Sequence, residues 1–208
     1  MHKKKFYFIV FEGVEGTGKS YQIKKLYNNL KIKKFDILKT REPGGSSSAE
    51  KIRKLIFSKD SKKFDKLTDF YLMCAARNEH VKKTLLIAKK KKRIVICDRF
   101  IDSTYAYQVI GNKINKDFNT INQNYILGGL RPDLTIVLKS NFKKIFSRIK
   151  KRKIKNKFDK LNTSFYVKAQ NAFINKVKNN RNYYLFDSSK DNNDLEKKIF
   201  KLILNKLK

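Results

Sequence analysis

Residues 13 to 20 read Gly-Val-Glu-Gly-Thr-Gly-Lys-Ser, matching the spacing G-x-x-x-x-G-K-[ST], and no other stretch constrains the fold as strongly. Ahead of it Phe6 to Phe11 is a β-rich run, and behind it Ile23, Leu26, Tyr27 and Leu30 recur at helical spacing. Strand, glycine loop and helix in that order make a phosphate cradle. Glycines carry no Cβ, so successive backbone N–H groups can turn inward around phosphate oxygens, and the helix N-terminus adds positive potential. Gly13, Val14, Glu15, Gly16, Thr17, Gly18, Lys19 and Ser20 are therefore the expected ATP-binding set. Lys19 would reach the β- and γ-phosphates, and the Ser20 hydroxyl would hold Mg²⁺.

The remaining pattern alternates strands with helices. A second strand is expected from Phe35 to Lys39, followed by the turn Thr40-Arg41-Glu42-Pro43-Gly44-Gly45. A helix capped by Ser48 runs to about Phe57, and a longer one from Leu67 to Lys90. Arg93 to Asp98 is a third strand, apolar throughout as in a parallel strand covered on both faces. Helices near 102–110 and 117–128 precede a fourth strand, Leu134 to Leu138. Two helices in 141–180 flank a basic break from Lys150 to Lys160, then come a fifth strand, Tyr183 to Phe186, and a closing helix, 191–207. This order specifies an α/β fold over 1–208 as one domain: a doubly wound five-stranded parallel sheet flanked by helices, of the P-loop NTPase kind. Asp98 ends the third strand in the crevice where such sheets bind ligands, so it is the expected partner of Ser20 in orienting the metal. Arg99 and Arg41 stand at the same edge, and two guanidinium groups opposite a phosphate cradle imply a second anion.

Composition removes other classes. The chain has 51 Lys+Arg against 18 Asp+Glu, a net charge of +33, which would attract any polyanion. Only 9 of the 51 are Arg, however, and Lys is spread through nearly every helix among frequent Asn and Ile. A reader of bases concentrates Arg and aromatics on one surface, so this charge reads as a solvated surface and not as a nucleic-acid site. No apolar run approaches the ~20 residues that a membrane span requires. Met1-His2-Lys3-Lys4-Lys5 leads into a short strand rather than a signal-peptide core, which makes the cytoplasm the expected location. Cys74 and Cys97 both lie in apolar segments and read as buried, reduced thiols.

Taken in order, Thr40 to Gly45, Ala75-Ala76-Arg77, Asp98-Arg99-Phe100, Ser103-Thr104-Tyr105-Ala106-Tyr107-Gln108 and Arg131-Pro132-Asp133-Leu134-Thr135 resemble thymidylate kinase over essentially the whole chain. The resemblance implies transfer of the ATP γ-phosphoryl group to dTMP, giving dTDP and ADP, in a homodimer that uses Mg²⁺. The alternative is a deoxynucleoside kinase or another nucleoside monophosphate kinase of the same fold. Carried over, Arg99 and Arg41 resemble the ligands of the dTMP phosphate, and Arg77 the donor to the thymine carbonyl. Thr104, Tyr107 and Gln108 resemble the wall around base and sugar, with Glu42 and Pro43 from the turn beside them. Glu15 resembles the loop acid near the sugar hydroxyl and the acceptor phosphate. An acceptor phosphate is already an anionic nucleophile at pH 7, so catalysis needs positioning and charge neutralisation and no histidine.

The sequence departs from the family pattern in three places: the lid, Met73, and Tyr21, which follows Ser20 where the family often has a small hydroxyl residue. The lid, Arg148 to Lys160, reads Asn156-Lys157-Phe158-Asp159 where the family usually has Asp-Arg, an apolar residue and Glu. Lys157 keeps the charge but loses the planar fork, leaving Arg152 or Arg148 to supply the guanidinium. Gly16-Thr17 in the loop resembles the bacterial-type subgroup, whose arginine comes from the lid. Met73 occupies the place of a Phe that stacks on thymine; its thioether could lie against the base, whereas the spacing of Phe70 reads as helix core. The catalytic set expected is Lys19, Glu15, Arg99 and Arg152.

Overall fold

The computed structural model describes residues 5–58, 64–153, 157–178, 180–190 and 193–207. Five parallel strands, β1 (Tyr7–Glu12), β2 (Ile37–Arg41), β3 (Ile94–Asp98), β4 (Leu134–Lys139) and β5 (Tyr183–Asp187), lie in the order β2-β3-β1-β4-β5. Alternation along a strand sends successive side chains to opposite faces, and β1 uses both. Ile9 and Phe11 pack with Ile23, Leu26 and Leu30 of α1 (Lys19–Ile32) and with Leu195, Ile199 and Ile203 of α9 (Asn193–Leu207). Phe8 and Val10 point the other way, onto Val81, Leu85, Phe100 and Leu127. Each such fully buried side chain contributes about 1.5–3 kcal/mol relative to exposure.

The helices between the strands are α2 (Ser47–Ile56), α3 (Lys66–His80), α4 (Leu86–Lys90), α5 (Ile101–Thr104), α6 (Lys116–Leu127), α7 (Phe142–Lys150) and α8 (Thr163–Lys178). The long helix expected from Leu67 to Lys90 is α3 and α4 joined by a π-helical stretch, Val81–Leu85. A second π stretch, Tyr105–Gly111, extends α5. Two expectations shift. α2 is capped by Ser46, whose side chain accepts from Ala49 N at 3.2 Å, while Ser48 instead donates its hydroxyl to Glu79. The second strand begins two residues later than its β-rich composition suggests, because Phe35 N still bonds back to Leu30 O at the end of α1 (3.2 Å). It also runs on to Arg41, paired level with Asp98 of β3.

That register builds the site. Phe11 of β1 and Arg41 of β2 both pair with Asp98, so the loop after β1, the turn after β2 and the Asp98-Arg99 turn after β3 open at one level on the carboxyl edge.

Candidate active site

In the phosphate-binding loop Gly13 has φ 138° and Gly16 φ 76°. A Cβ on Gly13 would lie 2.3 Å from Leu138 O and one on Gly16 2.7 Å from Ile145 O, so close backbone approach demands both glycines. α1 opens at Gly18 (φ 85°) with no side-chain cap, which leaves its first N–H groups available to an anion. The Val14 side chain is fully buried beside Ile145, so this residue offers the cradle only its backbone. Thr17 Oγ1 donates to Val14 O at 2.8 Å and stiffens the loop. Lys19 is folded across it, donating to Gly13 O at 2.8 Å and Val14 O at 3.0 Å. Burial, reinforced by the nearby Arg99 charge, lowers its pKa to about 8 against the pull of Asp98, Glu15 and Glu12. Ser20 Oγ donates to Asp98 Oδ2 at 3.0 Å, which brings together the two oxygens expected at the metal.

Arg99 stands on the opposite wall in a left-handed conformation, φ 71°. Its Nη2 donates to Glu15 Oε1 at 2.8 Å, its Nη1 to Ser103 Oγ at 2.9 Å, and its guanidinium lies 5.2 Å from the Tyr107 ring centre. The Tyr107 hydroxyl donates to the other Glu15 oxygen. Burial works against the Glu15 carboxylate, but Arg99, Lys19 and Tyr107 outweigh it and hold its pKa below the ordinary value.

Arg77, on α3, is 3% exposed and surrounded by acceptors. Its Nε donates to Glu42 Oε2 at 2.8 Å, and Nη2 reaches the same oxygen at 2.7 Å and Phe100 O at 3.1 Å. Its Nη1 donates to Thr104 Oγ1 at 2.9 Å and Gln123 Oε1 at 2.8 Å. Glu42 is held in turn by His80, whose Nδ1 lies 2.9 Å from Oε1, while His80 Nε2 meets Thr40 Oγ1 at 2.8 Å. A carboxylate only accepts, so Nδ1 carries a hydrogen. Burial opposes the charge on Glu42, yet Arg77 and the His80 hydrogen bond keep its pKa below the usual carboxylate range.

These groups border two adjoining hollows. The first is lined by Glu15, Glu42, Pro43, Met73, Arg77, Arg99, Phe100, Ser103, Thr104, Tyr107, Gln108 and Phe158. Gln108 is 2% exposed there, and its Nε2 has no hydrogen-bond partner, a donor left for a ligand. The second contains Lys19, Ser20, Asp98, Arg41, Arg53, Arg99 and Arg152, and shares Glu15, Glu42, Pro43, Arg99 and Phe158 with the first. Phe70 is fully buried against Tyr71 and Phe118, ring centres 5.9 and 5.5 Å apart, and borders neither hollow, as its core spacing predicts.

Arg53 and Glu12 escaped the sequence reading, whereas Arg152 was expected in the catalytic set. Arg53 of α2 borders the second hollow and donates to Pro43 O at 2.6 Å, beside Arg41, whose side chain is 53% exposed and paired to Glu50 at 3.0 Å. Among the lid cations Arg152 borders the hollow while paired with Asp159 at 2.6 Å; Lys157 is paired with Asp69 on α3, and Arg148 donates to Gly16 O and Ser188 O, both at 3.1 Å. Asn156 of the lid lies outside the described residues. Glu12, fully buried at the end of β1, accepts from Phe100 N (2.8 Å), Ser103 N (3.1 Å) and the Ser103 hydroxyl (2.6 Å), and so fixes the turn that aims Arg99.

Burial and the neighbouring Asp102 push the Glu12 pKa from 4.5 to about 8, against the Ser103 and Phe100 donors and the Arg99 charge. Within that window the folded chain holds a proton that the unfolded chain has lost, so this group makes stability fall as pH rises from 4.5 towards 8. Glu12→Gln imitates the protonated acid. Thermal unfolding followed from pH 5 to about 8 is expected to show a shallower decline in the variant than in the parent, and equal slopes would refute the assignment.

The family model for thymidylate kinase matches residues 11–199. The chain belongs to the thymidylate kinase family. It is an ATP-dependent nucleoside monophosphate kinase, and its reaction phosphorylates dTMP to dTDP. A thymidylate kinase of Mycoplasma capricolum is 37% identical over 204 residues, covering 97% of this chain and 96% of that protein. One from Mycoplasmoides gallisepticum is 38% identical over 190 residues, covering 90% and 89%. The crystal structure of the Ehrlichia chaffeensis thymidylate kinase superposes with a TM-score of 0.77 at 26% identity, covering 98% of this chain and all of that one. Among the described residues no helix is long and apolar enough to cross a membrane.

Proposed function

We propose that the two hollows hold the two nucleotides of this thymidylate kinase end to end. The reading is carried by one observation: Lys19, the Ser20–Asp98 pair and the guanidinium groups of Arg99, Arg53 and Arg152 border a single hollow, continuous with the Arg77 pocket. The acceptor phosphate lies between Arg99 and Arg53, with Arg41 adding charge from the rim. The thymine ring enters the first pocket against Met73 and Phe100. There it meets the unpartnered Gln108 Nε2 and an Arg77 N–H now directed at Thr104. Buried donors of this kind reject a base that leaves them unpaired far better than an apolar slot rejects a methyl group. Glu15, drawn to Arg99 and Tyr107, stands where it can accept from the sugar hydroxyl and keep Arg99 aimed.

The donor phosphates occupy the Gly13–Ser20 cradle. A hydroxyl and a carboxylate oxygen 3.0 Å apart beside it suit Mg²⁺, a hard ion that binds through few protein oxygens plus phosphate. Ser20 and Asp98 would hold it, and its chemistry there is to neutralise charge on the β- and γ-oxygens. The chain's own residues do the rest. Lys19 and Arg152 balance the charge of the transferring group, Arg99 and Arg53 overcome repulsion between the two anions, and Phe158 closes over Tyr107 to exclude water, its ring centre 5.2 Å away. Arg152→Ala is expected to lower kcat about a hundredfold while the KM for dTMP changes less than about threefold, the signature of a contact made in the transition state. Loss of KM with kcat intact would assign Arg152 to substrate binding instead.

All 208 residues act here as one domain. Leu67 and Tyr71 of α3 and Ile121 and Tyr125 of α6 form an exposed apolar strip joined through the Tyr71–Phe118 ring contact at 6.0 Å, which suits a two-fold homodimer contact. Sedimentation velocity reads that state directly. A reaction that draws on ATP and dTMP pools supports the cytoplasm as its location, and fractionation of cells tests it.

A further inference from the structure

Gln123, on α6, does not line the base pocket. It lies one layer behind, 6% exposed, and its Oε1 accepts from Arg77 Nη1 at 2.8 Å. Its Nε2 faces Asn119 Oδ1 at 3.4 Å and Cys74 Sγ at 3.5 Å. Because a guanidinium only donates, Arg77 dictates which end of this amide faces it.

A guanidinium has five N–H groups in a fixed plane, and four of them donate hydrogen bonds in this chain: Nε to Glu42, Nη2 to Phe100 O, and Nη1 to Thr104 and Gln123, while Nη2 also lies 2.7 Å from the Glu42 carboxylate as an ion pair. Glu42, Phe100 and Thr104 border the pocket; Gln123 does not. The Thr104 hydroxyl rotates, so it can share or yield its hydrogen bond when a base carbonyl arrives. Gln123 is buried, and giving up Arg77 would orphan both partners. One Nη1 hydrogen is thereby pinned behind the wall, and planarity directs the other through the Thr104 position into the pocket.

We infer that Gln123 is a positioning residue for base recognition: by anchoring Arg77 from behind, it aims one guanidinium N–H at the thymine carbonyl and so separates thymine from cytosine. Cytosine presents an amino donor at the edge where thymine presents that acceptor, and a fixed N–H opposite it has nothing to bond. This inference rests on the reading that Arg77 faces the base.

The test uses the full chain and steady-state kinetics with dTMP and dCMP. Gln123→Met keeps size and removes the acceptor. It is expected to raise the KM for dTMP about tenfold, to leave the KM for ATP unchanged, and to cut the dTMP-over-dCMP ratio of kcat/KM by about tenfold. Gln123→Glu retains an oxygen for Arg77 whether or not the carboxyl holds a proton, and is expected to recover most of the ratio. A purely structural role would lower thermal stability in the Met variant without moving the ratio, and that outcome overturns the inference. Should Gln123→Met fail to fold, Gln123→Asn, one methylene too short to reach Nη1, carries the same expectation. Arg77→Lys separates the two levels of the argument. If it leaves the ratio unchanged, the placement of the base against Arg77 fails; if it collapses the ratio while Gln123→Met does not move it, the role of Gln123 alone fails.

Discussion

Arg99→Ala is expected to reduce kcat/KM for dTMP by about a thousandfold or more. Two losses combine. On the proposed placement the acceptor phosphate loses a guanidinium partner, and the Glu15 carboxylate, 2.8 Å from Arg99 in the free protein, loses its ion pair and keeps the Tyr107 hydroxyl. Truncating one member of a buried charge pair costs about 2–5 kcal/mol, much of it the penalty for the charge left behind. A preorganised donor to a developing charge adds about 3 kcal/mol more. These overlap because they involve one side chain, so roughly 4–5 kcal/mol is the reasonable sum, which corresponds to three orders of magnitude. Arg99→Lys keeps the charge without the fork and should fall between parent and alanine. Adding Glu15→Gln to Arg99→Ala is expected to restore part of the lost stability in urea but little activity. Activity within tenfold of the parent for Arg99→Ala would remove Arg99 from the acceptor site.

Lys19→Ala should lower kcat by about a hundredfold to a thousandfold, because a buried cation aimed at the donor phosphates is lost from a site that excludes water. Affinity for dTMP, measured by calorimetry without ATP, should change less than kcat, since Lys19 does not border the base pocket and the acceptor phosphate keeps Arg99 and Arg53. The parent protein offers a second readout. With the Lys19 pKa near 8 in the free protein, its ammonium is lost as pH rises through that value, and the triphosphate favours the charged form. ATP binding should therefore weaken above pH 8 and take up a proton there, an effect absent from Lys19→Ala. For folding the sign is opposite: above pH 8 the unfolded chain binds more protons at this lysine, so its contribution to stability rises with pH up to about 10.5. An ATP affinity independent of pH from 7 to about 9 would contradict this account.

The arginines show how far a one-dimensional reading reaches. Arg99 was legible because it follows Asp98 at the end of an apolar strand, and strand ends define the crevice. Arg41 occupies the corresponding end of β2 and borders the same hollow, where it pairs with Glu50, and α2 brings Arg53 to that hollow as well. That outcome depends on how α2 lies over the turn, and helical periodicity assigns Arg53 no special face. The lid behaves the same way. Its basic composition marked the segment and Arg152 was in the expected set, but that Arg152 borders the hollow, while Asp69 holds Lys157 and Arg148 turns to Gly16 O, depends on how the lid packs on α3 and the loop after β1. Glu12 carried no signal, since an acid ending an apolar strand looks like any strand terminus until Phe100 and Ser103 fold onto it.

Sequence alone determined the parallel sheet, the phosphate cradle and the family pattern, because each depends on spacings within a few residues: period-two burial, glycines between a strand and a helix, and short motifs in a fixed order. Only the tertiary structure decided which cations face the phosphates and which amide holds Arg77. Those choices are made by pairs such as Arg77 and Gln123, 46 residues apart, and Phe100 and Glu12, 88 apart. Whether such partners meet is set by helix packing across the sheet, and no local periodicity encodes the direction in which a buried polar side chain finds its hydrogen bond.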